Sequence, residues 1–421
     1  MDKTPAAPEK NPLWTRDFTI ITVGSVVSML GNALSSFAMD LMVLDVTGST
    51  LMFAVYSILY MLPNALAPVL IGPFLDRFSR KKTIYTLDFI TAGLFAALTA
   101  VLLTGRFNIY VLSLANFLLG AIGGIYFAAY DSFYPLLIRE GNFQKAYAVS
   151  STLETLSMVM LPVSAFIYKT FGIVPLFLAN AVSYLAAAIL ETQIRAEEAY
   201  IDLRKNESGG APPGLRRFTA DFREGMKYLI GERGLLAVAM YFFFSAMTGG
   251  MTGVVTLPYF RNTFANGEYV FMLTWGMASL ARFLGGIVHY NLKLPAGSRY
   301  AVAFGVYIAI AVLEGSYLFC PVPVMMVMTF TTGLLGVTSY TIRISSTQAY
   351  VPDGKKGRFN GAFNTLCTVG TLAGQAAAGV LSLAVGERWV VVIANAVCLA
   401  AAIVLIGGNR QHVSAIYNTQ A

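Results

Sequence analysis

Apolar runs of about 20 residues, separated by short polar breaks, set the pattern of this chain. They lie near 18–44, 51–75, 83–104, 108–135, 144–168 and 173–193, and, beyond one long hydrophilic stretch, near 234–260, 267–289, 299–319, 322–350, 359–385 and 389–407. Crossing about 30 Å of hydrocarbon takes about 20 helical residues at about 1.5 Å each, so every run predicts a membrane-spanning helix. The expected fold is an all-α polytopic membrane protein with twelve transmembrane helices. Residues 1–17 are polar, and the first run is too long for a cleaved signal, so it is expected to stay as a helix.

The hydrophilic stretch, 194–233, divides the runs into six and six. Its first part, Glu197 to Gly214, is rich in charge, Ser, Gly and Pro and reads as a flexible linker. Further on, Phe218, Phe222, Met226, Leu229 and Ile230 recur at helical spacing, with Arg217, Asp221, Arg223, Glu224 and Lys227 on the other face. That pattern predicts an amphipathic helix in the membrane interface, read as a strap between halves or as a regulatory element. The expected organisation is a tail (1–17), a six-helix bundle (18–193), the linker (194–233), a second bundle (234–407) and a second tail (408–421).

Composition agrees with this pattern. The chain has 421 residues, 56% of them hydrophobic and only 12% charged, against about 25% charged in soluble domains. Mean hydropathy is +0.64. A disordered chain, a collagen and a disulfide scaffold are excluded. The net charge of +7 could suit nucleic acid, but its placement argues otherwise. With both termini in the cytoplasm, 23 of the 29 Lys and Arg fall on the cytoplasmic side. Only Arg106, Lys169, Arg261 and Arg388 lie outside, and Arg282 and Arg343 lie within spans. The positive-inside bias predicts a membrane protein with both termini cytoplasmic, its basic charge answering lipid and not nucleic acid.

Little else in the composition carries chemistry. Cys320, Cys367 and Cys398 sit in apolar runs and read as small buried hydrophobes. His289 and His412 are far apart, and no metal-ligand spacing, P-loop or nucleophile motif is present. No cofactor, no metal and no enzymatic activity are expected.

The two halves repeat. Gly72-Pro-Phe-Leu-Asp76-Arg77-Phe-Ser-Arg80-Lys81-Lys82 follows span 2, and Gly285-Gly-Ile-Val-His289-Tyr-Asn-Leu-Lys293 follows span 8, offset by 213 residues. Arg139-Glu140-Gly141 with Lys145 meets Pro352-Asp353-Gly354 with Arg358 at the same offset. A duplicated six-helix unit, giving two pseudo-symmetric bundles, accounts for both.

The first of these loops, Gly-x-x-x-Asp-Arg-x-x-Arg-Lys in this position, resembles the signature loop of the major facilitator superfamily, and the likeness covers the chain from about Phe18 to Ile406. Within that superfamily, Asn32-Ala-Leu-Ser-Ser-Phe-Ala, Val46-Thr-Gly-Ser, Tyr134-Pro135 leading to Ala146-Tyr-Ala-Val, and Val351-Pro352-Asp353 leading to Gly357-Arg358 are similar to the macrolide-efflux-like bacterial permeases. The resemblance implies a latch in which Gly72, Asp76, Arg77, Arg80 and Lys81 hold the halves together in one state, with a relay to Asp131 at the end of span 4. There are departures. Asn116-Phe-Leu-Leu-Gly120 lacks the arginine that the family often carries there, and Leu161-Pro162-Val-Ser-Ala165-Phe166 keeps only the proline of the antiporter motif. Gly370, Gly374 and Gly379 in span 11 offer a possible counterpart.

Ionisable groups inside a bilayer cost about 2.5–3.5 kcal/mol or more on insertion scales, so each needs a cavity or a partner. Glu154, about ten residues into span 5, is read either as a protonatable or substrate-facing group or as a structural hydrogen bonder. Asp40 and Glu314 lie near the outer ends of spans 1 and 9, facing the pathway or reaching water. Asp88 is assigned to the cytoplasmic charge cluster. Arg282 and Arg343, in the cytoplasmic thirds of spans 8 and 10, either snorkel or attract an anionic group. Ser25, Ser28, Asn32, Ser35 and Ser36 form a polar stripe on span 1 that lines a pathway or joins helices. Tyr241 to Phe244 and Met247 hold the repeat-equivalent place in span 7.

The expectation is a monomeric secondary transporter that couples protons to export of a hydrophobic or amphipathic small molecule. Uptake or lipid translocation on the same fold is the runner-up, and a membrane-embedded receptor or enzyme is the alternative of another class.

Overall fold

The protein is seen here as a computed structural model. It describes residues 12–75, 78–105, 108–139, 160–198, 215–291 and 294–419, together with 142, 143, 145, 146, 149, 150, 153 and 157. The described residues hold fourteen helices of eight residues or more and no strand. With no water to satisfy peptide groups in hydrocarbon, a helix that bonds all its own backbone is the economical element.

The first half contributes α1 (Arg16–Thr47), α2 (Thr50–Leu75), α3 (Arg80–Leu103), α4 (Ile109–Phe133), α5 (Met160–Phe171) and α6 (Val174–Glu191). Then come α7 (Leu215–Gly231), α8 (Arg233–Thr263), α9 (Gly267–Asn291), α10 (Arg299–Ser316) and α11 (Val322–Tyr350). The chain closes with α12 (Asp353–Val385), α13 (Glu387–Ala401) and α14 (Arg410–Tyr417). Eleven helical stretches among the described residues are long and apolar enough to cross a membrane. The fifth expected span is represented by α5, and several residues before it lie outside the described set. The amphipathic segment is α7, which is too polar to span.

Local chemistry sets several helix ends. Asn108 Oδ1 accepts the Val111 amide at 3.0 Å, and Ser79 Oγ accepts the Lys82 amide at 3.1 Å, as N-cap side chains do. Gly48 and Gly386 take φ of +59° and +77° after α1 and α12, a backbone only glycine adopts freely, and so permit the tight turns into α2 and α13.

By internal packing the residues form two compact units. One draws on 1–42 and 63–212, the other on 43–62 and 213–421. In the first, α3 and α6 lie along each other, with Phe95 against Phe177 and Tyr184. Phe18, Ile84, Phe133, Tyr134 and Ile194 fill its core at one end. In the second, α8 is central, packed on α12 and α13, while α9 pairs with α11. Its core gathers Tyr241, Tyr307, Phe359, Phe363 and, from α14, Val413, Ile416 and Tyr417. The segment 408–421, expected as a tail, thus ends in a helix built into the core. Leu103, Val182, Leu383 and Val404 are 63–71% exposed, as suits side chains that meet lipid tails.

Candidate functional site

The basic loop before α3 is fastened by a carboxylate that the sequence did not single out. Glu198, beyond α6, accepts the Arg80 amide at 2.7 Å, the Lys81 amide at 3.3 Å and the Ser79 hydroxyl. An anion on the free amides of a helix N-terminus is a favourable placement. Lys81 Nζ donates to the carbonyls of Ile194 and Ala196, and the Arg195 amide donates to Asp17. The strand of chain leaving α6 is therefore strapped across the starts of α1 and α3. Glu198→Ala should cost about 1 kcal/mol in chemical denaturation of the purified chain, while Glu197→Ala, on an exposed neighbour, should change stability by under about 0.5 kcal/mol.

For the expected latch, Gly72 lies in the last turn of α2, and Asp76 and Arg77 fall outside the described residues. Arg80 donates to the Ser132 carbonyl at 3.0 Å, next to Asp131, whose side chain is exposed. In the repeat-equivalent place His289 Nε2 meets Thr338 Oγ1 at 2.7 Å, so there the imidazole ties α9 to α11.

The polar stripe of α1 divides between two faces. Ser35 is fully buried and accepts a bond from Asn180 of α6. A Cβ on Gly31 would stand 2.2 Å from Ser183 Oγ and 2.6 Å from Asn180 Oδ1. Ser28, also buried, bonds back to the Gly24 carbonyl at 3.1 Å. These positions join α1 to α6. Asn32 and Ser36, bonded to each other at 3.4 Å, occupy the more open face. Asp40 is half-buried further along α1, and no ion pair holds it among the described residues. Glu154 lies outside the described residues.

Asp88 departs from its assignment. It is 1% exposed, inside the first unit, and its carboxyl faces that of Glu191, which is 0% exposed. Burial two turns into α3 turns it away from the basic loop. Glu191 was missed because it stands near the end of the sixth apolar run, close to the linker. The available signal was that it is the only charged residue between Lys169 and Arg195.

The second unit collects the other candidates around an aromatic cluster. The Arg343 guanidinium of α11 lies 4.8 Å from the ring centre of Phe363, 5.2 Å from Phe242 and 5.3 Å from Tyr340. Its Nε is buried without a hydrogen-bond partner among the described residues, and none of their carboxylates pairs with it. Aromatic faces attract a cation, and rings stand on several sides of Arg343. Phe242 packs on Tyr307, and Tyr307 on Tyr241 with centroids 4.3 Å apart. On the same face of α10, two turns beyond Tyr307, Glu314 is half-buried within the field of Tyr241 and Cys398. The exposed Arg282 is the cation whose field reaches Glu314. One unit thus holds a cation and an acid beside a phenol and phenyl cluster. Aromatic pairing at these distances is worth about 0.5–1.5 kcal/mol per pair beyond burial.

A third group of polar residues, also unforeseen, lies in the second unit at the turn joining α1 and α2. Arg261 pairs with Asp45, and Glu387 accepts from Thr50 at 2.8 Å and Asn262 at 3.4 Å. Arg388 stacks over Phe319 at 3.8 Å and donates to the Leu318 carbonyl. At the other end of this unit, α7 docks on the start of α12. Glu224 bonds Arg358 at 2.7 Å, and Lys355 sits 4.6 Å from the Tyr228 ring. Burial, with the charge of Glu232 beside it, pushes the Tyr228 phenol up. Among the described residues, no group of three or more His, Cys, Asp or Glu could hold a metal ion.

With this geometry in hand, likeness to known proteins can be weighed. The family model of the Major Facilitator Superfamily matches residues 21–374. The uncharacterized MFS-type transporter YkuC of Bacillus subtilis (strain 168) is 25% identical over 307 residues, 70% of this chain and 69% of that protein. Macrolide efflux protein A of Streptococcus pyogenes is 24% identical over 260 residues, and the match spans 61% of this chain and 62% of that protein. Among solved structures, a bacterial homologue of the iron transporter ferroportin in an inward-facing state superposes with a TM-score of 0.64 at 14% identity, covering 96% of this chain and 99% of its own. A POT peptide transporter superposes at 0.65 with 11% identity, covering 94% of each chain. At these identities the structures speak to the fold alone.

Proposed function

The chain belongs to the Major Facilitator Superfamily, a family of multi-pass membrane transporters for small molecules and not of enzymes, and from that premise we propose proton-coupled export of a hydrophobic or amphipathic solute of macrolide-like chemistry. The observation that carries the reading is the aromatic cluster of the second unit, flanked by Arg343 and Glu314. Ring faces of Phe242, Tyr241, Tyr307 and Phe363 suit an apolar body, while the half-buried carboxyl suits an amine or a proton. Named efflux relatives at 24% identity point the same way. The bias of 23 in 29 basic residues supports cytoplasmic termini and a cytoplasmic α7, and bacterial relatives support a bacterial-type plasma membrane. Alternating access would then carry solute past this cluster, one bundle rocking against the other.

Everted vesicles provide the test. A labelled macrolide should accumulate when the lumen is acidified and stop accumulating when the gradient is collapsed. An unchanged rate after collapse would rule out proton coupling, and no accumulation of any amphipathic solute would favour uptake or lipid translocation. In the same assay Glu314→Gln should lower kcat/KM about tenfold, or about 1.4 kcal/mol of transition-state stabilisation. Unchanged kcat/KM would remove Glu314 from the path.

A further inference from the structure

Two buried acids of the first unit, Asp88 and Glu191, take no part in the reading above, and their arrangement calls for a ligand. Asp88 of α3 and Glu191 of α6 are 1% and 0% exposed, on helices that run along each other. Their carboxyls are within hydrogen-bonding reach. Yet Asp88 Oδ2 and both Glu191 oxygens receive no donor from any described residue. Facing them from α4 is Tyr126, whose hydroxyl is itself buried without a hydrogen-bond partner among the described residues and whose ring lies in the field of both carboxyls. From α1 comes Gly24, whose missing side chain leaves space: a Cβ there would stand 3.0 Å from Glu191 Oε1.

Among the described residues Tyr126 is a phenol whose field the two carboxyls share, and Tyr130 of α4 and Tyr184 of α6 act in turn on Tyr126. No Lys or Arg among the described residues balances the acids. Two ionised carboxylates in contact, out of water and without a cation, repel strongly. A hydrogen bond between two carboxyl groups needs one proton, covalently held by one and accepted by the other.

We propose that Asp88 and Glu191 form a proton-binding site within the first helical unit, separate from the aromatic cluster, and that this site carries the coupling proton of the export cycle. Uptake forms one O–H bond on either carboxyl and one hydrogen bond to the other, with the proton supplied by water at the membrane face. Release restores two carboxylates. No redox partner enters. The coupling role rests on the export reading above, whereas proton binding does not.

Infrared difference spectra of the purified full-length chain in lipid, between acid and alkaline buffer, read the site directly. The parent should show a protonated-carboxyl band that is shifted in Asp88→Asn and in Glu191→Gln, lost when the two substitutions are combined, and kept in Glu197→Gln. Gly24→Ala retains both acids while crowding Glu191, so it should shift the band without removing it, and it keeps the test open if an amide variant fails to fold. In vesicles, gradient-driven export should fall at least tenfold in both amide variants. A band that survives the combined amide substitutions overturns the site. Undiminished gradient-driven export in both variants overturns its coupling role. A parent whose export ignores the gradient would instead defeat the export reading, and the band would still decide whether the pair binds a proton.

Discussion

Gly374→Val should prevent the second unit from folding to a stable state. On α12, a Cβ at Gly374 would stand 2.0 Å from the Met247 carbonyl oxygen of α8, and one at Gly370 would stand 2.5 Å from that of Phe243. From the other side, a Cβ at Gly250 would stand 2.2 Å from the Thr371 carbonyl oxygen. The obstacles are backbone atoms and cannot rotate away. Gly370-x-x-x-Gly374 on one helix and Gly250 on the other thus form a seam where two backbones touch, a packing favoured between membrane helices because small residues allow it. Overpacking a close interface costs about 1–3 kcal/mol and more where backbone must move, so a loss above about 3 kcal/mol is expected. Size-exclusion profiles and melting temperature of the purified variant provide the check. Gly249→Ala, one residue away on α8 with open space around it, should be neutral or gain up to about 1 kcal/mol from helix propensity. A monodisperse Gly374→Val with the parent's melting temperature would mean that α8 and α12 do not cross here.

Tyr417→Ala should cost about 3–5 kcal/mol. Tyr417 is 0% exposed in the core of the second unit, its hydroxyl is 2.7 Å from that of Tyr307, and its carbonyl accepts the Ser346 hydroxyl. Removing the ring leaves a cavity and strands a buried hydroxyl. Tyr417→Phe keeps the ring and should cost only about 1 kcal/mol. Denaturant unfolding of the two variants separates packing from hydrogen bonding. Equal losses would place the weight on the hydroxyl pair, and no loss in either would mean that α14 is dispensable.

Why α14 escaped notice in the sequence is instructive. Val413, Ile416 and Tyr417 do follow helical spacing, but over only eight residues beyond the last apolar run, where periodicity carries little information. Membrane spans are legible because hydrocarbon thickness demands length, and length is a local property of one stretch of chain. The basic loops are legible for the same reason, since the positive-inside bias is a count made along the chain. Polar groups inside the spans are another matter. The stripe on α1 could be seen but not divided: Ser35 and Gly31 join α6, while Asn32 and Ser36 face elsewhere. Arg343 was read as a cation within span 10 that snorkels or attracts an anionic group, but the rings of Phe242 and Phe363 beside it come from α8 and α12.

The sequence by itself determined the all-α membrane plan, the six-and-six repeat, the distribution of basic charge and the family likeness. Each of these is written along single segments, as length, period or count. Tertiary structure alone decided which polar groups meet: Asp88 with Glu191, Glu198 with the start of α3, Glu314 with the phenols of Tyr241 and Tyr317. Such meetings depend on how each helix is rotated about its axis and how closely it approaches the next. Those are set where small residues such as Gly24, Gly31 and Gly374 let backbones and side chains close in, and no single stretch of sequence states what lies across the gap.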